Sequence, residues 1–122
     1  MEKSKTTLDA GAPWPFPVSR TYIGVRSPAG CEVLADGLDL SPRFDLANHS
    51  PTGFEWRYLG SGPAQLALAL CADALGDDVR ALRVYQEFKA NVVANLAEAY
   101  WKMTASEVRE EVFEIEKHRR DS

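Results

Sequence analysis

The sequence has few of the residues that most often bind metals or form disulfides. Its 122 residues include two cysteines and two histidines. Cys31 and Cys71 lack the C-x-x-C spacing of a metal or redox site, and a disulfide framework needs more cysteines. His49 and His118 stand apart, with no His-x-x-x-His pair. We therefore expect two reduced, buried cysteines, no metal site and no cofactor.

An excess of positive charge and a long hydrophobic run are also missing. The chain has fourteen lysines and arginines and eighteen acidic residues, which gives a net charge of −4. This charge argues against a general nucleic-acid binder. The most apolar stretch, residues 63–75, is shorter than the roughly 20 residues that span a bilayer. No apolar run follows the N-terminus, so no signal peptide is visible. We expect a cytoplasmic protein without membrane association.

Length and composition fit a single folded domain with two appended segments. The chain is 45% hydrophobic, enough for one modest core. Residues 1–18 form a proline-rich tail or arm, because alternate prolines in residues 12–17 forbid helix and favour an extended segment. That segment is a loose tail, an arm on the domain or a ligand for a proline-reading partner. Residues 19–104 form the domain, and residues 105–122 an acidic amphipathic helix.

The first half of the domain predicts strands. Residues 20–26 and 31–35 read as two strands, and Asp36-Gly37 is a strong two-residue hairpin signal before a return strand over residues 38–40. Phe54, Trp56 and Tyr58 alternate with polar residues, which predicts a further, half-buried strand over residues 54–58. The sheet is then antiparallel, with three or four strands.

The second half predicts helices. Ser61 or Gly62 caps a helix with Pro63 at its first position, and this helix is apolar nearly all round, which is typical of a buried core helix. Asp77 or Asp78 caps a second helix to about Leu96. Its predicted buried stripe comprises Val79, Leu82, Tyr85, Phe88, Val92, Val93 and Leu96.

Two later segments complete the prediction. Residues 97–103 are ambiguous; we favour a short extended segment or edge strand that packs Trp101 on the domain. Thr104 and Glu107 form a capping box that begins a last helix, ending at about Arg119. The fold class is therefore α+β: a small antiparallel sheet packed against a helical pair, plus a C-terminal helix. We expect the rings of residues 54, 56 and 58 to hold the apolar helix rather than to stack nucleic-acid bases.

The centre of the chain resembles a known family. Residues 48–56 (Asn-His-Ser-Pro-Thr-Gly-Phe-Glu-Trp) followed by residues 60–69 (Gly-Ser-Gly-Pro-Ala-Gln-Leu-Ala-Leu-Ala) are similar to the domain-of-unknown-function family numbered 6166, found in short bacterial and phage proteins. The likeness extends from about Arg20 to about Thr104. Members usually carry glycines near Arg57 and Leu59, where this chain is bulkier. The resemblance implies a phage or mobile-element association, but no activity.

One candidate site lies at the turn before the apolar helix. Gly60, Ser61 and Gly62 precede a helix N-terminus, where free N–H groups and the helix dipole favour an anion, with Arg57 and His49 as further candidate ligands. The turn lacks the residues of a P-loop, a dinucleotide fingerprint or a nucleophile elbow. A tight, capped turn explains the same residues, and a loop histidine more often organises its loop by hydrogen bonding.

The second candidate site is the C-terminal helix. Its short apolar stripe, Val108, Val112 and Ile115, together with Glu111, would bind a partner or form a homodimer if the helix does not dock on its own domain. We therefore expect a non-enzymatic module that binds another protein. The alternatives are an anion- or small-ligand-binding domain at residues 60–62 and an enzyme that uses His49, Glu55 and Ser61. No catalytic constellation is recognisable.

Overall fold

The computed structural model describes residues 20–121, so the predicted proline-rich segment lies outside the described residues. The strands are β1 (Thr21–Ser27), β2 (Gly30–Ala35), β3 (Leu38–Asp39) and β4 (Tyr100–Thr104). The helices are α1 (Ser61–Leu75), α2 (Asp78–Asn91) and α3 (Ala105–Asp121), with a short 3-10 turn at Val93–Asn95. The predicted α+β class is confirmed.

The four strands form one antiparallel sheet in the order β3-β2-β1-β4. Tyr22 pairs with Ala35 on β2 and with Met103 on β4. Asp36 and Gly37 have positive φ angles of 50° and 84°, as a two-residue hairpin turn requires at both central positions. The predicted hairpin is therefore confirmed.

The apolar helix lies in the middle of the core. In α1, thirteen residues are buried, from Gly62 to Leu75 with Asp73 excepted. The buried face of the sheet supplies Tyr22, Val33 and Ala35 to the same core. Tyr22 also donates a hydrogen bond of 2.6 Å from its hydroxyl to Asp73 Oδ2. Burial, and next the hydrogen bond to this carboxylate, raise the pKa of Tyr22, so its proton stays in place.

The caps of the other helices match the prediction. The Asp77 side chain accepts a hydrogen bond from Arg80 N at 3.0 Å, which caps α2. Thr104 and Glu107 exchange the reciprocal bonds of a capping box at the start of α3. Arg80 joins the two helices through an ion pair with Glu116, at 2.7 Å between Nε and Oε2.

The predicted buried stripe of α2 is partly wrong. Val79 and Leu82 are 61% and 41% exposed, and the helix ends at Asn91 instead of near Leu96. The residues that α2 buries are Ala81, Val84, Tyr85 and Phe88. These four residues also recur at spacings of three and four, so they too form a stripe along one side of the helix. That side is different from the predicted one.

The predicted strand over residues 54–58 is also wrong. These residues lie outside the sheet, and β4 is the fourth strand. Trp56 is fully buried and packs edge-on against Trp101, with ring centroids 5.6 Å apart, whereas Tyr58 is half-exposed. The edge strand favoured for residues 97–103 is confirmed, with Trp101 buried. No helix within residues 20–121 is long and apolar enough to cross a membrane.

Candidate functional site

The turn at residues 60–62 is closely packed. Gly60, not Ser61 or Gly62, is the N-cap of α1, so Pro63 occupies the third helical position. A Cβ added at Gly62 would lie 2.6 Å from Glu55 Cβ, and one at Gly60 would lie 2.5 Å from the Tyr58 ring. Gly62 is therefore required by its contact with Glu55, whereas at Gly60 the half-exposed Tyr58 ring is free to move aside. Ser61 is exposed at the surface.

Arg57 connects the segment before α1 to the segment that follows α2. Its backbone N–H donates to Val93 O at 3.0 Å, and its Nη1 donates to Leu96 O at 3.1 Å. Its φ angle is 78°, in the left-handed region that favours glycine. With Trp56 and Tyr58 it borders a shallow depression of about 360 Å³.

The strain at Arg57 leads to a testable prediction. Arg57→Gly and Arg57→Ala both remove the bond to Leu96 O, but only alanine keeps a Cβ at positive φ. We expect the glycine variant to be more stable than the alanine variant by about 1 kcal/mol. Urea denaturation of both variants measures this difference in the free energy of unfolding. Equal stability, or a more stable alanine variant, would contradict the assigned backbone conformation.

The floor of the same depression is a cluster around Arg26. The Arg26 guanidinium lies over the Trp56 ring, 5.0 Å from its centroid, and pairs with Glu55 Oε1 at 2.7 Å. Both Arg26 Nε and Trp56 Nε1 donate to Glu98 O. Trp56 is thus enclosed between an arginine and Trp101, so its ring is not available for stacking on nucleic-acid bases.

His49 belongs to a loop that is fastened to the core. Its ring Nε2 lies 2.7 Å from the Tyr85 hydroxyl, and its backbone N–H donates to Gln65 Oε1 at 2.7 Å. Gln65 is fully buried in α1, and its Oε1 also accepts from Ser50 N at 3.1 Å. Its Nε2 donates to the carbonyl oxygens of Pro42 and Ala47, at 2.6 and 3.0 Å.

Sequence reasoning missed the role of Gln65. The one available signal was its position as a polar residue in the first turns of a helix that is otherwise almost wholly apolar. A buried amide in such a place needs partners for its donors and its acceptor. Here those partners are four backbone groups of one loop, which makes His49 part of a structural anchor.

The three residues of the enzyme alternative are not joined to one another. His49 bonds Tyr85, Glu55 pairs with Arg26, and Ser61 is exposed at the helix start. No hydrogen bond between any two of the three is present in the described part of the chain. A base and a nucleophile need such a bond to act together.

The apolar stripe of α3 is covered by its own domain. Val108 and Val112 are fully buried and Ile115 nearly so, and α3 packs on both α1 and α2. The helix therefore docks on its own domain, and these three candidate partner-binding residues are part of the core. Glu111 is exposed.

The outer face of α3 combines an aromatic residue with acidic ones. Phe113 is 51% exposed, with Glu110 one helical turn before it and the Arg120 guanidinium 5.9 Å from its ring centroid. Glu111 and Glu114, two residues before and one residue after Phe113, point to other sides of the helix. None of these three carboxylates has an ion-pair partner within residues 20–121. Concave surfaces of about 530 and 680 Å³ lie beside the helix, and Glu111 and Glu114 line both.

Comparison with known proteins identifies a family. The model of a family of unknown function, DUF6166, matches residues 22–114. No curated protein and no solved structure matches the chain. The matched range contains all of the sheet except Thr21, together with α1, α2 and the first part of α3, including Phe113 and Glu114.

Proposed function

This chain belongs to the DUF6166 family, and we propose that it is a non-enzymatic module that binds another protein through the outer face of α3. The partner offers a lysine- or arginine-rich segment with an apolar contact for Phe113. The module works in the cytoplasm, where Cys31 and Cys71 stay reduced; both are free, and burial raises the pKa of each thiol.

The observation that supports this proposal is the exposed Phe113 together with three carboxylates of α3 that have no ion-pair partner within residues 20–121. Two other acidic residues of the helices form ion pairs within the domain: Glu116 with Arg80, and Glu87 with Arg119. Within residues 20–121, Glu110, Glu111 and Glu114 form no such ion pair. A half-exposed aromatic residue within a charged rim has the composition of an interface centre, where aromatic side chains carry much of the binding energy.

Affinity capture with the full chain as bait tests this proposal. We expect Phe113→Ala to weaken retention of the captured partner roughly tenfold or more, as loss of an aromatic hot spot does. Phe44→Ala is a matched control, because Phe44 is 42% exposed and lies in the loop near α2. Retention that is equal for wild type and Phe113→Ala would contradict the proposal.

Charge reversal separates the electrostatic contribution. Glu111→Lys with Glu114→Lys should abolish capture of a basic partner, and raising the salt concentration should weaken wild-type capture. The anion-binding alternative gives a different result: inorganic phosphate or nucleotides would raise the melting temperature of the wild type, and Ser61 or Arg57 variants would lose that shift. Such a result would replace the proposal.

A further inference from the structure

The second face of the sheet carries an apolar patch. Ile23 and Val25 on β1, Leu34 on β2 and Tyr100 on β4 point away from the helices, because Tyr22 and Gly24 of the alternate set point into the core. Val25 is 39% exposed and Tyr100 is 53% exposed. Within residues 20–121, no helix lies on this face.

The strand register makes this patch contiguous. Ile23 pairs directly with Leu34, and Val25 pairs directly with Tyr100. Because Ile23 and Val25 are two residues apart on β1, the four side chains form one block across three strands. We call these four residues, Ile23, Val25, Leu34 and Tyr100, the open sheet patch.

Opposite charges occupy opposite corners of the open sheet patch. Glu32 pairs with Val25 on the β2 side, and Lys102 pairs with Ile23 on the β4 side. Both side chains are exposed, and neither has an ion-pair partner in the described chain. They lie on strands separated by β1 and in different rows, so they are placed apart from each other within one molecule.

We propose that the open sheet patch binds a second copy of this chain, face to face, in a two-fold symmetric dimer. A two-fold axis that lies between the faces, perpendicular to the line from Glu32 to Lys102, places each Lys102 over the partner's Glu32. The apolar block is enclosed between two identical salt bridges. A two-fold interface requires this kind of self-complementary surface.

The size of the patch sets the expected affinity. The surface area that four apolar side chains on three short strands can bury is small. It is well below the roughly 800 Å² that each partner buries in a standard interface. We therefore expect a reversible dimer with a dissociation constant of roughly 1 to 100 µM. Sedimentation velocity of the full chain across this concentration range should show a monomer–dimer equilibrium.

A pair of charge variants tests the geometry. Glu32→Lys alone and Lys102→Glu alone should each weaken dimerisation by about tenfold or more, because each places like charges together at both salt bridges. An equal mixture of the two variants should form a heterodimer, since every contact in it joins opposite charges. The surface of α3 is unchanged in both, so partner capture through Phe113 is measured independently.

Two results would overturn this proposal. If the wild-type chain stays monomeric across the concentration range, the proposed dimer does not form. The open sheet patch would then be a contact surface for residues 1–19 or for a different protein. A dimer that is unaffected by both charge reversals would place the interface elsewhere. The circular dichroism of each variant should match the wild type, because both positions are exposed.

Discussion

Replacing Leu68 with alanine should destabilise the protein by about 3 kcal/mol or more, since deleting a fully buried leucine removes apolar contacts and leaves a cavity. Leu68 is 0% exposed in the middle of α1, between Ala67 and Ala69, which are also fully buried. A domain of this size has a total stability of roughly 5–15 kcal/mol. The variant should therefore lose a large part of it, as urea denaturation will measure.

Leu59→Ala is the matched control for this prediction. Leu59 is close to α1 in the sequence but 66% exposed, so its truncation should change the free energy of unfolding by less than about 0.5 kcal/mol. Similar losses for the two variants would mean that α1 is not the centre of the core. The packing of the sheet and of α2 and α3 around it would then have to be revised.

The burial of α1 could be predicted because its composition leaves no alternative. A helix without a polar side must be enclosed on all sides, whatever the topology around it. The hairpin at Asp36-Gly37 and the caps at Asp77 and Thr104 were predictable for a similar reason. Each depends on residues within a few positions of one another, and local geometry decides the outcome.

The error at residues 54–58 has a physical cause. Any extended chain alternates its side chains, whether or not a neighbouring strand pairs with it. Here Trp56 turns into the core, but the positive φ of Arg57 breaks the alternation, and Tyr58 is left half-exposed. Strand pairing depends on distant partners, and the place beside β1 is taken by β4.

The side of α2 that is buried could not be determined from its own sequence. Val79 and Leu82 mark one apolar side, and Val84 and Phe88 mark another. Which of the two sides faces the core depends on the elements that α2 contacts, namely α1 and α3, and on the ion pair between Arg80 and Glu116. These contacts are long-range, so helical periodicity alone gives two valid solutions.

The prediction of the candidate sites from sequence was limited in the same way. The residues of the turn and of the C-terminal helix were identifiable, but their exposure depends on docking. Ile115 became part of the core once α3 packed on α2, while Phe113, only two positions away, remained at the surface. The interaction face that we propose is thus on the side of α3 away from its apolar stripe.

Gln65→Leu should destabilise the protein by about 3 kcal/mol, although leucine has a similar volume and suits an apolar helix. The substitution leaves the N–H groups of His49 and Ser50, and the carbonyl oxygens of Pro42 and Ala47, without their side-chain partner. Each buried polar group that loses its bond costs about 1–3 kcal/mol, partly recovered where water can reach the loop.

Two measurements identify the cause of this loss. In hydrogen exchange, the amides of His49 and Ser50 should lose protection in Gln65→Leu, while the amides of β1 and β2 keep theirs relative to global stability. Gln86→Leu is the matched control, because Gln86 is exposed on α2, and it should change the free energy of unfolding by less than about 0.5 kcal/mol. A Gln65→Leu variant as stable as the wild type would show that the loop is held without this amide, and His49 would again be a candidate for a role beyond anchoring.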